Sequence, residues 1–300
     1  MNDHTRAGEP AAEPWRGPHP LPLVDEQRLL AANADAADYY RHQLLSPAGA
    51  GPRGYLHERR LELVLNEDSI WKVGYAPPGW TRLTDHLRHL GYADHTLVEA
   101  GLAHACRRGT LIDRFRDRIV VPIHGHAGGI VAFVARAAPG APAGCPKYLN
   151  TPTTGLYRKA DTVLGLHEQR HLLATGATPV LVEGPFDVLA VNPELPGRNS
   201  DLAPVSVCGT ALTTAHAAAI SAAAQPGVGI VIALDDDPAG REATRRSAAA
   251  LEPISGPVRQ VALIGEDPAS LSQRHGTDHL RRRLLQARRR AVGHGAGLDP

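Results

Sequence analysis

Three hundred residues, 43% of them hydrophobic but only 4% aromatic, allow about two domains with cores built from small aliphatic side chains. Lys and Arg (32) balance Asp and Glu (31), which excludes a uniformly basic nucleic-acid binder and leaves only a local patch for such a partner. Cys106, Cys145 and Cys208 form no Cys-x-x-Cys pair, which excludes a zinc ribbon and a disulfide framework. With no leader-like start and no apolar run of membrane length, a cytoplasmic chain with no membrane partner is expected.

In chain order, Met1–Leu23 is rich in Pro, Ala, Gly and charge and is expected to be a disordered tail. Val24–Leu45 has helix-forming composition, with Leu29, Leu30, Ala36 and Tyr40 among its apolar positions. Ser46–Arg53 reads as a Gly/Pro loop, and a short helix is expected from Tyr55 to Leu61. Gly74–Trp80 contains two prolines and two glycines and is predicted to be a turn with aromatic anchors. Leu83–Leu90 and His95–Ala100 read as helices. Arg118–Ile123 and Gly129–Ala135 are β-branched runs around His124-Gly125-His126-Ala127-Gly128, which predicts a hairpin with a solvated tip. Ala137–Gly144 is a loop.

Beyond Pro179 the pattern alternates. Strands are predicted at Pro179–Glu183, Pro204–Cys208, Gly229–Asp235 and Pro257–Ile264, with helices at Thr213–Ala224 and Ala239–Leu251. Such alternation argues a parallel, doubly wound sheet. The last helix, Asp278–Arg290, is strongly basic; its Arg clusters suit either nucleic acid or a solvated amphipathic face.

The chemistry gathers at two strand ends. Gly229–Leu234 is an apolar run leading into Asp235, Asp236 and Asp237, followed by Pro238 and Gly240. Pro238 fits the first position of a helix and Asp237 its cap. Strand alternation sends Asp235 and Asp237 one way and Asp236 the other, toward solvent. Paired carboxylates at the carboxyl end of a buried strand suit a hard cation such as Mg²⁺. An acidic strand end is also a common solvated cap, so the second stretch matters. Thr178–Val182 leads into Glu183-Gly184-Pro185-Phe186-Asp187 with the same layout.

Glu-Gly-x-x-Asp followed by a strand ending Asp-x-Asp-x-x-Gly resembles the TOPRIM domain of topoisomerases, primases and related nucleases. Upstream, Tyr55-Leu56-His57-Glu58-Arg59, Gly74–Trp80, Asp113–Ile119, Pro146-Lys147-Tyr148-Leu149-Asn150 and Leu164-Gly165-Leu166 resemble the RNA-polymerase core of the bacterial DnaG-type primase, in that family's order. The match runs over about Tyr39–His275. It implies an α/β fold: a mixed α/β N-terminal subdomain over 24–170 for template and nucleotide, then a TOPRIM subdomain with a mostly parallel sheet over 171–268. A basic C-terminal helix and tail take up 269–300. It further implies a primase making short RNA primers on single-stranded DNA from ribonucleoside triphosphates, with Mg²⁺ or Mn²⁺. Arg59, Arg136, Lys147 and Lys159 match the family's basic groove. Glu183, Asp187, Asp235, Asp237 and Asp267 match its metal-binding positions, with Glu183, Asp235 and Asp237 the expected catalytic carboxylates. Gly209-Thr210 matches the loop after the second TOPRIM strand.

Charge supports this division independently. Gly101–Arg170 carries ten Lys or Arg against four Asp or Glu, and His171–Gly240 carries one against seven. The near-neutral chain hides a basic lobe suited to phosphate and an acidic lobe suited to a cation. Only three lysines occur, Lys72, Lys147 and Lys159, and two fall at groove positions. Trp71 and Trp80 are expected as core anchors.

The chain departs from the family pattern in the last acidic motif, where Asp-Pro-Asp becomes Asp267-Pro268-Ala269. No zinc ribbon precedes the core and little follows it, so a separate helicase and zinc-ribbon protein are expected partners. The alternatives are an accessory protein of a mobile element that binds single-stranded nucleic acid with weakened catalysis, and a TOPRIM nuclease.

Overall fold

The computed structural model describes residues 25–106, 109–142, 144–191, 200–209, 211–234, 250–261, 263 and 266–289. The N-terminal tail, Thr210, Asp235, Asp236, Asp237 and most of the expected Ala239–Leu251 helix lie outside the described residues.

Helix α1 spans Glu26–Leu45, capped by Asp25, whose carboxylate accepts the Gln27 N–H. Of its expected apolar positions Leu29, Ala36 and Tyr40 are buried, together with Leu44, while Leu30 is half-buried. The expected Ser46–Arg53 loop is a 3₁₀ turn over Pro47–Gly49 running directly into α2, Ala50–Glu58. Pro52 is tolerated because it falls in the first turn, where an amide needs no helical acceptor. A second correction concerns Gly74–Ala76, which is not a turn but strand β1. A Cβ on Gly74 would lie 2.6 Å from the Tyr40 Cβ, so the glycine lets this strand run against α1.

Helices α3 (Arg82–His89) and α4 (Asp94–Glu99) follow, then a small hairpin of β2 (Ala103–Ala105) and β3 (Leu111–Asp113). The predicted long hairpin is β4 (Arg118–His124) with β5 (Ile130–Ala137), antiparallel and bulged at Ile123/His124. Strand β6, Tyr148–Asn150, pairs with β5 and completes the antiparallel order β1-β4-β5-β6. Alternate residues of β4 face different cores: Val120 packs with α1, while Ile119, Val121 and Ile123 face a core shared with the second half of the chain. Burial on both faces explains the continuous apolar run.

Helix α5 (Arg170–Ala174) leads into the parallel sheet of β7 (Thr178–Val182), β8 (Leu202–Ser206), β9 (Ile230–Ile232) and β10 (Val258–Gln260). Its order is β10-β9-β7-β8, and every pairing is parallel. Helix α6 (Pro185–Val191) follows β7, and α7 (Thr214–Ala223) follows β8 with a Thr213–His216 capping box. Val180 and Val182 pack toward the shared core, while Leu181 faces the opposite side with Ile220 of α7. The basic helix expected at Asp278–Arg290 is α9 (Thr277–Arg289), and a shorter helix, α8 (Pro268–His275), precedes it across Gly276 at φ 89°. Leu280 and Leu284 of α9 are fully buried, so this helix lies on the molecule through its apolar stripe. Among the described residues no helix is long and apolar enough to cross a membrane.

Candidate active site

The chain leaves β7 toward β8 on one flank, while β9 and β10 lie on the other. Strand order therefore reverses between β7 and β9, and open parallel sheets bind ligands at the carboxyl ends beside such a reversal. Glu183 follows β7 directly. The Ala233 N–H donates to the Leu181 carbonyl at 2.9 Å, so pairing with β7 continues past β9 toward Leu234. Asp235 and Asp237 come next in the sequence and lie outside the described residues.

A cleft of about 130 Å³ opens here. It brings together Arg59, Arg136 and Lys147 with Glu183, Asp187 and Asp267, and Tyr148, Phe186, Cys208 and Ala269 also line it. Lys159 is not in the lining. Its carbonyl accepts from His216 Nε2 at 2.9 Å, and its ammonium is near enough to act on Cys208. Burial pushes the Cys208 thiol up to about 12, against the lowering pull of Ser206 and Lys159.

The carboxylates are held by backbone amides. Asp187 is buried, and its Oδ2 accepts the Gly184 N–H at 3.0 Å while Oδ1 accepts the Ala269 N–H at 3.1 Å. One side chain thus ties the turn after β7 to the start of α8. A Cβ on Gly184 would sit 3.3 Å from Asp187 Oδ2 and 3.5 Å from the Tyr148 hydroxyl, so a glycine suits this corner. Asp267 is the N-cap of α8, its Oδ1 accepting from the Ser270 N–H at 2.5 Å, with Pro268 next. That Asp-Pro signal was in the sequence, beneath the metal-site pattern. The half-buried Glu183 has its carbonyl anchored by the Ser206 hydroxyl at 2.7 Å.

The loop below the cleft turns sharply. Cys208 (φ 52°) and Gly209 (φ 76°) are both left-handed. The Cys208 N–H donates to Ser206 Oγ at 2.9 Å, and its carbonyl accepts from Asn150 Nδ2 at 3.3 Å, which holds a side-chain-bearing residue in that conformation.

The basic side chains lean on aromatic rings. Arg136 lies 4.9 Å from the Phe186 ring centre, 5.4 Å from Tyr148 and 5.5 Å from Tyr55. Its Nη1 donates to the Tyr148 hydroxyl at 2.9 Å. Burial pulls the Arg136 pKa down, the oxygens of Tyr148 and Tyr55 push it up, and the net shift is upward. Lys147 lies 5.7 Å from the Tyr148 ring, and Arg59 lies 5.2 Å from that of Tyr55. These rings were not singled out from the sequence, where Tyr55 and Tyr148 stood only as parts of longer motifs.

The oxygen donors fit a hard divalent cation: Glu183 and Asp267 line one cleft, and Asp235 and Asp237 follow the strand beside β7 in sequence. Among the described residues alone, no group of three or more His, Cys, Asp or Glu forms a metal cage.

The comparisons with known proteins agree with this geometry. Residues 39–170 match the family model of the DNA primase catalytic core, N-terminal domain, and residues 180–270 match a Toprim-like model. DNA primase of Mycolicibacterium smegmatis is 36% identical over 259 residues, covering 85% of this chain and 40% of that protein. DNA primase of Deinococcus radiodurans is 35% identical over 248 residues, covering 80% and 40%. The crystal structure of the RNA polymerase domain of Mycobacterium tuberculosis primase DnaG superposes with a TM-score of 0.74 at 32% identity, covering 87% of this chain and 84% of that one. The chain belongs to the DnaG-type primase catalytic core family. It spans about 40% of the length of these curated relatives. A DnaG primase catalytic domain bound to single-stranded DNA superposes with a TM-score of 0.72 at 28% identity, covering 87% of this chain and 79% of that one.

Two features of this primase core differ from the sequence-based expectation. Trp71 is a core anchor at 1% exposure, but Trp80 is 65% exposed, with the Arg116 guanidinium 4.7 Å from its ring centre. Residue type alone predicted burial; the Pro77-Pro78-Gly79 turn instead presents the ring at the surface. His124 is not a solvated tip: its Nδ1 is 2.8 Å from the Glu168 carboxylate, and its ring stacks on His167 at 5.1 Å. His126 is exposed as expected. A larger cleft, about 670 Å³, lies beside this hairpin and contains none of the candidate site residues.

Proposed function

We propose that this chain is the catalytic core of a DNA primase, joining ribonucleotides on a single-stranded DNA template. The observation that carries the reading is the single cleft in which Arg59, Arg136 and Lys147 face Glu183, Asp187 and Asp267. In nucleotidyl transfer the bond from the 3′-oxygen to the α-phosphorus forms, the bond to pyrophosphate breaks, and the hydroxyl loses a proton. The guanidinium and ammonium groups bind and orient phosphate without reading bases. Glu183, half-buried at the end of β7, serves either as the proton acceptor or as a cation ligand. Asp235, Asp237 and Asp267, joined by Glu183 in its ligand role, would hold Mg²⁺ or Mn²⁺, which supplies charge neutralisation at the reacting phosphate. Asp187 keeps the carboxylate-bearing turns in register. Exposed Trp80, with Arg116 over its ring, offers the template a base-stacking surface.

Labelled ribonucleotide incorporation on single-stranded DNA with Mg²⁺ or Mn²⁺ tests this. The chain should extend, and Asp235→Asn should abolish synthesis while retaining DNA binding. One observation favours a second reading, an accessory protein that binds single-stranded nucleic acid: Ala269 replaces a carboxylate of the family's last acidic motif. Inactivity at every metal concentration, with synthesis gained in Ala269→Asp, would decide for it.

A further inference from the structure

Among the described residues, Tyr55 is the one ring that lies against both arginines of the cleft wall. It lies on α2, four residues before Arg59, so the two share a helix face. Its centre is 5.2 Å from the Arg59 guanidinium carbon, 5.5 Å from that of Arg136 on β5, and 6.1 Å from the Phe186 ring on α6. One half-buried side chain thus joins three elements around two cations. The type of support matters. A carboxylate would fix a guanidinium by occupying its N–H donors and cancelling its charge. A ring face fixes the same plane without cancelling the charge, and at Arg136 the Tyr148 hydroxyl also accepts a bond from Nη1.

We propose that Tyr55 is the positioning residue of the phosphate-binding wall, setting the orientation of Arg59 and Arg136 so that both guanidiniums present their N–H groups to one phosphate oxyanion. This rests on the cleft being the nucleotidyl-transfer site. The oxyanion belongs either to a nucleoside triphosphate or to the nucleic-acid backbone.

The test is a pair of binding titrations on the full chain, one with GTP and Mg²⁺ and one with a fluorescein-labelled single-stranded DNA 12-mer. Tyr55→Leu should weaken at least one affinity about five- to tenfold, and Tyr55→Phe should stay within about twofold of wild type. In an Arg59→Ala, Arg136→Ala double background, Tyr55→Leu should add less than about twofold, because it acts through the two arginines. An effect with GTP alone assigns the triphosphate, and one with DNA alone assigns the backbone. Tyr55→Met, which fills the space without a ring face, replaces Tyr55→Leu if the latter does not fold. Unchanged affinities, an equal loss in both backgrounds, or a wild type that binds neither probe would overturn the inference. A chain that binds but incorporates no ribonucleotide would overturn the proposed function and leave the role of Tyr55 standing.

Discussion

Asp187 separates two accounts of the acidic cluster, as cation ligand or as structural clamp. Its two oxygens accept the Gly184 and Ala269 N–H groups at 3.0 and 3.1 Å from inside the protein. Asp187→Asn keeps one acceptor and turns an amide N–H toward the other backbone N–H. One charge-assisted bond is lost and a buried donor is stranded, a cost of about 2–3 kcal/mol. At roughly 2–4 °C per kcal/mol for a domain of this size, the unfolding midpoint should fall by roughly 5–10 °C. Asp187→Ala strands both donors and should cost about 3–5 kcal/mol. The assay is thermal unfolding in EDTA, where no cation contributes. A residue acting only as a metal ligand would show no loss there, since removing buried negative charge from an empty acidic cluster is neutral or stabilising. An Asp187→Asn midpoint equal to wild type in EDTA would therefore refute the clamp.

The other predictions concern the groove, the surface platform, the missing carboxylate and pH. Replacing Lys147 and Lys159 by Ala should weaken single-strand binding for all sequences alike and flatten the salt dependence by roughly 0.7 per lost phosphate contact; a filter-binding titration with unchanged slope would discard both. Trp80→Ala should cost about 1–3 kcal/mol in single-strand affinity with no change in salt slope, and a purely electrostatic effect would remove the stacking role. Ala269 is 4% exposed and bonded to Asp187, so Ala269→Asp sets a second carboxylate beside the first. Its unfolding midpoint in EDTA should fall, and the Mg²⁺ needed for half-maximal incorporation should fall too; an unchanged metal requirement would sink the missing-ligand account. Burial lowers the pKa of His216, which accepts the Thr213 N–H at Nδ1 and donates to Lys159 from Nε2. The unfolded chain then binds the extra proton first, so this contribution is complete above the ordinary imidazole pKa of about 6.5 and is lost below it. His216→Gln should shrink the fall in unfolding midpoint on acidification, and an identical fall would show that other groups carry it.

The parts legible in the sequence were those with local causes. The parallel strands β7, β8 and β9 are short apolar runs, and the β4–β5 hairpin has β-branched flanks around a glycine-rich tip. The acidic and basic candidates were legible as motifs, and the cleft gathers those from the turn after β7, the start of α8, α2 and β5–β6. The missed parts have causes distant in the chain. Gly74–Ala76 is a strand because β4 pairs with it and Tyr40 leaves no room for a side chain at residue 74. Trp80 is exposed because of how the turn before it is oriented, which composition does not encode. Tyr55, Tyr148 and Phe186 come from separate segments, and their common role exists only once α2, β6 and α6 meet around Arg136.

That meeting explains how opposite charges share one small cleft without annihilating each other. Arg59, Arg136 and Lys147 rest on aromatic faces, while Asp187 and Asp267 rest on backbone amides. Supports of these kinds hold a charge in place without cancelling it. A wall held only by ion pairs to the other would leave charges uncompensated when the two separate to admit a ligand. A nucleotide with a divalent cation brings the complementary pair of charges in one package, phosphate for the basic wall and cation for the acidic one. The arrangement therefore favours the two ligands together over either alone: cation should raise the affinity for triphosphate, and triphosphate the affinity for cation, by the same factor.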